Sequence, residues 1–422
     1  MTRSTVAFSQ VSGLEILDSR GNPTVQVTLV ADDGATYVAG VPSGASTGTR
    51  EAVELRDGDK ARYAGKGVTQ AVGHVNGEIA ELLTSRSWSS LAEVDDALIA
   101  LDGTPTKARL GANAIVGTSM AVARAFAATT PLWQSLQPAG VEPRLPVPHF
   151  NVLNGGVHAP NDLDFQEFMV APVGAPSFPE ALRAGAAVYA RLRALLQAKG
   201  EATGLGDEGG FAPNIARPED VLTLIVQAIT DAGYPTGRAG VAIALDPAAS
   251  EFYRDGAYHV AGDTLSSDDM IARYEAIATD FPVWSLEDGL AEGDWDGWER
   301  LTARLGDRVQ LVGDDIFVTN PAIITEAIGR KVGTSALIKV NQIGSITETL
   351  RAQEICRQAG YTQMISHRSG ETSDSFIADL AVATGTGQLK TGAPARGERV
   401  AKYNRLLEIA AAHPELPYGL AD

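Results

Sequence analysis

Thr334-Ser-Ala-Leu-Ile-Lys-Val-Asn-Gln-Ile-Gly344 drives a short apolar run (Ala336, Leu337, Ile338) straight into Lys339, with a turn expected at 341–344. Read as a buried strand, the run places an amine at the end of an apolar wall. Desolvation there disfavours the ammonium form and predicts a lowered pKa, the property a lysine base needs. An isolated lysine at a strand end more often snorkels to water on its alkyl stem. Repetition elsewhere in the chain favours the first reading.

The same order of apolar run, ionisable residue and turn recurs through the C-terminal half. Val241-Ala-Ile-Ala-Leu ends in Asp246, Val283-Trp-Ser-Leu in Glu287 and Asp288, and Val309-Gln-Leu-Val-Gly in Asp314 and Asp315. Gln363-Met-Ile-Ser ends in His367 and Arg368, and Thr386-Gly-Gln-Leu in Lys390. Each interval holds one strand, one helix and two loops, which predicts an α/β fold with a parallel β/α barrel. In such a barrel the strand C-termini converge on one face, so distant positions form one polar site.

A chain of 422 residues exceeds the usual single core and predicts two domains. With 44% hydrophobic and 20% charged residues it is globular rather than disordered. The net charge of −18 repels nucleic acid and anionic membranes, so neither is expected as a partner. Clustered carboxylates can still recruit an anionic substrate through divalent cations. Cys356 is the only cysteine, which excludes a disulfide framework or thiolate metal site and suits a reducing cytoplasm. No signal-like segment opens the sequence, and no apolar run approaches the ~18 residues that span a bilayer. A cytoplasmic protein without membrane insertion is expected.

Residues 5–42 alternate like half-buried strands, with Val25, Val27 and Leu29, then Tyr37, Ala39 and Val41, around a turn at Asp32-Asp33-Gly34. Ser43-Gly-Ala-Ser-Thr-Gly48 reads either as a plain connection or as a lid over a ligand. Helical periodicity covers about 69–85, 91–101 and 111–129. Pro138, Pro143, Pro146 and Pro148 make a stretch expected to be neither helix nor central strand. The expected division is therefore an N-terminal α+β domain at 1–138 and a catalytic barrel at 139–422. Strands at 149–153 and 163–170 and helices at 178–199 and 218–232 give that barrel a ββαα opening.

Asp246, Glu287 and Asp314 end successive predicted strands, and three converging carboxylates repel one another unless a cation lies between them. All-oxygen ligation predicts Mg²⁺, Mn²⁺ or Ca²⁺ rather than zinc. Glu208, beside Gly209-Gly210, reads as a turn residue or as half of an acid pair with Glu167. If the two meet, repulsion raises one pKa and makes a proton donor. His158 reads as an acid/base or as a hydrogen-bonded loop histidine. Arg368 and Ser369 after His367 form an anion clamp for phosphate or carboxylate. No dinucleotide fingerprint or phosphate loop is present, which argues against nucleotide chemistry.

Leu17-Asp-Ser-Arg-Gly-Asn-Pro-Thr24, Ser43-Gly-Ala-Ser-Thr-Gly48, Asn154-Gly-Gly-Val-His158, Phe165-Gln-Glu-Phe-Met169 and Gly206-Asp-Glu-Gly-Gly-Phe-Ala-Pro213 occur in order. Leu286-Glu-Asp288, Gly313-Asp-Asp315, Ile338-Lys-Val-Asn-Gln-Ile-Gly344, Ser366-His-Arg-Ser-Gly-Glu-Thr372 and Leu389-Lys-Thr-Gly392 follow. Together they resemble the enolase family along essentially the whole chain. The resemblance implies reversible dehydration of 2-phosphoglycerate to phosphoenolpyruvate by a carbon–oxygen lyase. Sites of that superfamily are themselves the standing example of a lysine or histidine base opposite Mg²⁺, so this chemistry comes from the family rather than from spacing.

Carried over by position, the resemblance makes Lys339 the base, and Glu208, assisted by Glu167, the acid at the departing hydroxyl. Asp246, Glu287 and Asp314 would hold a first Mg²⁺. A second, arriving with substrate, would be completed by Ser46 as the 43–48 loop closes. Arg368 and Ser369 would grip the phosphate and Lys390 the carboxylate, with His158, His367 and Gln166 lining the site. It also implies a homodimer, or an octamer as in some bacteria. The tail ends Leu-Ala-Asp rather than in lysine, which weakens any surface, plasminogen-binding role. Two other functions compete: a superfamily dehydratase of another acid, against which the phosphate clamp argues, and a non-enzymatic scaffold at the cell surface or secreted without a signal peptide. The intact set of Lys339, Lys390, Glu167, Glu208 and three metal carboxylates argues against the scaffold.

Overall fold

The computed structural model describes residues 2–420. Its N-terminal part is built on an antiparallel meander of β1 (Phe8–Leu17), β2 (Pro23–Ala31) and β3 (Thr36–Gly40). Val25, Val27 and Leu29 are fully buried on one face of β2, as their alternation requires. Gly34 takes φ +84 in the following turn, the left-handed conformation that glycine adopts without strain. The Ala112–Ala127 helix lies across this sheet with every residue except Arg124 buried. Its Gly117 allows the approach, since a Cβ there would lie 2.7 Å from a Val41 methyl and 2.9 Å from one of Val27.

The helix expected at 69–85 is interrupted. A π-helical turn, Val75–Ile79, separates Thr69–His74 from Ala80–Thr84. Within it, Asn76 accepts from the Gly13 N–H (2.7 Å) and donates to the Gly13 carbonyl (3.2 Å), clamping β1.

The barrel strands are β4 (Val147–Asn154), β5 (Glu167–Ala171) and β6 (Ala242–Asp246). After a small excursion of β7 (Tyr253–Arg254), β8 (Ala257–Val260) and β9 (Asp263–Leu265) come β10 (Val283–Glu287), β11 (Gln310–Gly313), β12 (Ser335–Ile338), β13 (Thr362–Ser366) and β14 (Gln388–Lys390). The eight barrel strands close in the order β10-β11-β12-β13-β14-β4-β5-β6, with β6 pairing back to β10. β5 alone runs antiparallel to its neighbours. The helices Phe178–Ala198 and Pro218–Asp231 then complete the ββαα opening. Serine and asparagine caps set later helix starts, as where Ser345 accepts from the Glu348 N–H.

Three expectations need correction. Pro148 lies inside β4, paired with Leu389, although the proline-rich stretch was expected to hold no central strand. The Val147 N–H bonds the Gly387 carbonyl on the β14 side. The missing Pro148 N–H therefore faces the β5 side, where pairing starts only at Phe150 opposite Val170. The β7–β9 excursion between Asp246 and the Ser267–Asp280 helix was not anticipated. The turn expected at 341–344 is a short helix, Val340–Ile343, ended by Gly344 at φ +92.

Candidate active site

The barrel brings its chemistry to one face through strand direction. β6 ends on Asp246, β10 on Glu287 and β14 on Lys390. Asp314 follows β11, Lys339 follows β12, and His367, Arg368 and Ser369 follow β13. Because β5 runs the other way, its first residue, Glu167, reaches the same face and stands opposite Asp246. His158 comes from the loop after β4, and Glu208 from the connection between the Phe178–Ala198 and Pro218–Asp231 helices. All of these, with Gln166, are buried. A cavity of only about 10 Å³ remains among His158, Gln166, Glu167, Glu208, Asp246, Lys339, His367, Arg368, Ser369, Lys390 and the lid residue Ser46. It holds about one water.

Two lysines organise the carboxylates. The Lys390 Nζ donates to Glu287 Oε1 (2.6 Å), Asp246 Oδ2 (3.1 Å) and Glu167 Oε1 (3.3 Å). Burial opposes its charge, yet Glu167, Glu287 and Asp246 hold its pKa well above an ordinary lysine's. Lys339 donates to Asp314 Oδ2, whose other oxygen accepts from Gln342 Nε2 at 2.8 Å. Here the expectation of a lowered lysine pKa fails. Burial does disfavour the Lys339 ammonium, but the adjacent Asp314 charge outweighs it and the pKa is raised. Desolvation was legible in the sequence; the contact with Asp314 was not.

Glu167, Glu208 and His158 bring ligand atoms within 4.8 Å of one another. Burial and then the Glu208 charge push Glu167 well above the carboxylate range. Burial acts on Glu208 in the same sense, but its neighbours, among them the His367 hydrogen bond and the Arg399 charge, hold it well below that range. The site thus pushes the two carboxyls of the pair in opposite directions. Burial lowers both histidines, His367 to about 3, so each ring is neutral.

The Arg368 fork is occupied. It donates to Glu51 Oε2 (3.0 Å) and Oε1 (3.1 Å), to Asn341 Oδ1 (3.1 Å) and to the Ser46 carbonyl (3.0 Å). Ser46 thus engages the clamp through its backbone, and Glu51, three residues past the 43–48 loop, supplies the anion. The sequence reading missed Glu51, Asn151, which donates to Glu208 Oε2 at 3.0 Å, and Arg399, which bonds His367. Asp288 was noted without a role. Its two oxygens accept the Asp314 and Asp315 N–H groups at 2.8 Å, which fixes the loop after β11.

Among the described residues, the compact groups of possible metal-ligand atoms are His158-Glu167-Glu208 and Asp288-Asp314-Asp315. The expected set of Asp246, Glu287 and Asp314 is taken up by two lysines instead. Its chemistry still fits a divalent cation. All donors are oxygen, Glu287 Oε2 is buried without a hydrogen-bond partner, and a positive charge already lies between Asp246 and Glu287.

A closed β/α barrel with buried lysines, an acid pair and cation-ready carboxylates at its strand C-termini defines a class: acid–base enzymes that work on carbon next to a carboxylate. Comparison with known proteins narrows the class. The family model "Enolase, C-terminal TIM barrel domain" matches residues 142–415, and "Enolase, N-terminal domain" matches 8–136. The chain is 57% identical to an enolase of Acidothermus cellulolyticus over 401 residues, covering 94% of this chain and 93% of that protein. It is 54% identical to an enolase of Rubrobacter xylanophilus over 416 residues, covering 96% of each. The chain belongs to the enolase family.

Proposed function

We propose that this protein is a phosphopyruvate hydratase that reversibly dehydrates 2-phosphoglycerate to phosphoenolpyruvate in glycolysis and gluconeogenesis. The observation that carries the reading is the gathering of Lys339, the Glu167–Glu208 pair and the Arg368–Ser369 clamp around one cleft. Lys339 takes the proton beside the substrate carboxylate. It can do so only as the free amine, so its hold on Asp314 has to be released first. Lys390 lies on the carboxylate side and pairs with the substrate carboxylate. Asp246, Glu287 and Asp314 would hold a divalent cation, which would supply positive charge against the negative charge that builds up as the proton leaves. The acid pair protonates the departing hydroxyl, which leaves as water. Arg368 and Ser369 bind the phosphate after Glu51 yields the guanidinium fork. His158, His367 and Gln166 line the hydroxyl end.

The cofactor would be Mg²⁺, two per site, with Ser46 of the 43–48 lid helping to hold the second when substrate is bound. The near-filled cleft supports a lid that must open for binding. A homodimer, or an octamer, is proposed from the family and from Leu14 and Leu17 on β1, which are 56% and 55% exposed. The acidic charge and single buried cysteine support a cytoplasmic location, and no helix among the described residues is long and apolar enough to cross a membrane. The test follows absorbance of the enol product from 2-phosphoglycerate with Mg²⁺ and then with excess chelator. Magnesium-dependent turnover that chelator abolishes is expected; a folded, metal-supplied protein without turnover overturns the reading.

A further inference from the structure

We propose that Arg399 is a positioning residue that fixes His367 as its Nε2–H tautomer, so that the imidazole can only donate to Glu208. Arg399 projects from the first turn of the Gly397–Ala412 helix and is fully buried. Its Nη1 lies 2.6 Å from His367 Nδ1 and 2.6 Å from the Arg368 carbonyl. Its Nη2 donates to the carbonyls of Ser369 (2.5 Å) and Asp207 (3.1 Å). A guanidinium carries hydrogen-bond donors only and stays charged. His367 Nδ1 must therefore present a lone pair, because an N–H there would point at another N–H.

The ring proton is then confined to Nε2, 3.1 Å from Glu208 Oε2. The same oxygen accepts from Asn151 Nδ2 at 3.0 Å. A one-way chain results, from Arg399 to His367 to Glu208, in which the carboxylate end accepts. An outer partner setting a histidine's tautomer is the arrangement by which many sites orient the ring. The same fork holds the residue before Glu208 and both residues of the phosphate clamp: Asp207, Arg368 and Ser369 all offer it a carbonyl. Ring, acid and clamp are thereby held as one body. A purely structural staple would be indifferent to which ring nitrogen carries the proton.

The inference rests on the reading of Glu208 as part of the acid pair, but its main readout does not depend on turnover. Nitrogen NMR of the full-length protein labelled at its six histidines reports the tautomer, with the His367 signal assigned from a His367→Gln spectrum. The wild type is expected to show His367 solely as neutral Nε2–H near neutral pH. Arg399→Lys, which keeps a charged donor, should retain that tautomer and lose less than about tenfold in kcat. Arg399→Gln, whose amide can also accept, should give mixed tautomers and lose about 100-fold in kcat, with KM within about threefold. A wild-type Nδ1–H or imidazolium signal overturns the proposal whether or not the variants fold. So does a folded Arg399→Gln with a pure Nε2–H signal and wild-type kcat. A wild type inactive on 2-phosphoglycerate but with the expected tautomer would instead overturn the proposed function.

Discussion

Burying an amine removes the solvation its ammonium form depends on, yet Lys339 is held charged because Asp314 is buried beside it. The proposed base and one proposed cation ligand thus neutralise each other, and on that proposal neither works until the pair separates. Lys339→Ala is expected to lower kcat by about 10²- to 10⁴-fold, the usual weight of a positioned proton acceptor. Steady-state assays with 2-phosphoglycerate check this, and a loss below tenfold would exclude Lys339 as the base. At the acid pair the proton is shared unequally, with Glu167 raised and Glu208 lowered. Glu167→Gln, which mimics its protonated state, should therefore disturb the resting fold less than Glu208→Gln. The latter leaves the His367 and Asn151 donors facing a neutral amide. Urea titrations at neutral pH compare the two, and equal destabilisation would contradict this distribution of the proton.

The lid shows how an element enforces function through its smallest residues. A Cβ on Gly44 would meet Arg368 Nη2 at 2.2 Å, and one on Gly48 would meet a Val318 methyl at 2.6 Å. Arg368 cannot simply swing aside, because Glu51, Asn341 and the Ser46 carbonyl hold its fork. Gly44→Ala should raise KM for 2-phosphoglycerate about 10- to 100-fold by misplacing the phosphate clamp. Thermal unfolding is expected to change little, and an unchanged KM would remove the loop from the binding site. Six of the eight barrel strands were legible because each apolar run leads into an ionisable residue. Pro148 was misjudged because sequence shows a missing N–H but not the side to which it points. The π-helical turn at Val75–Ile79 follows from no local propensity; what the structure shows there is Asn76 clamped on Gly13.

At the scale of the whole molecule, Asp95 joins the two parts of the chain, accepting the Thr347 N–H at 2.9 Å. Burial raises its pKa from 3.8 to about 6. The folded form therefore holds this proton more tightly than the unfolded chain. Its stabilising contribution is complete below about pH 4 and is lost as pH rises to about 6, a change of about 3 kcal/mol. Asp95→Asn should flatten that part of the pH–stability curve, as urea titrations across the range would show; an unaltered slope would clear Asp95 of the effect. The fold class, and the gathering of the strand-ending charges on one face, were already determined by sequence, because period-2 alternation, strand-ending charges and glycine-rich turns are local consequences of backbone geometry. Strand ends at 246, 287, 314, 339, 367 and 390 could be placed on one face by topology alone. Which charges pair there was decided only by tertiary structure. Lys390 among Glu167, Asp246 and Glu287, Glu51 on Arg368, Arg399 on His367 and the opposite shifts of Glu167 and Glu208 all depend on distances of a few ångströms. Electrostatic energies in a buried site vary steeply over such distances, and spacing along a chain does not encode them.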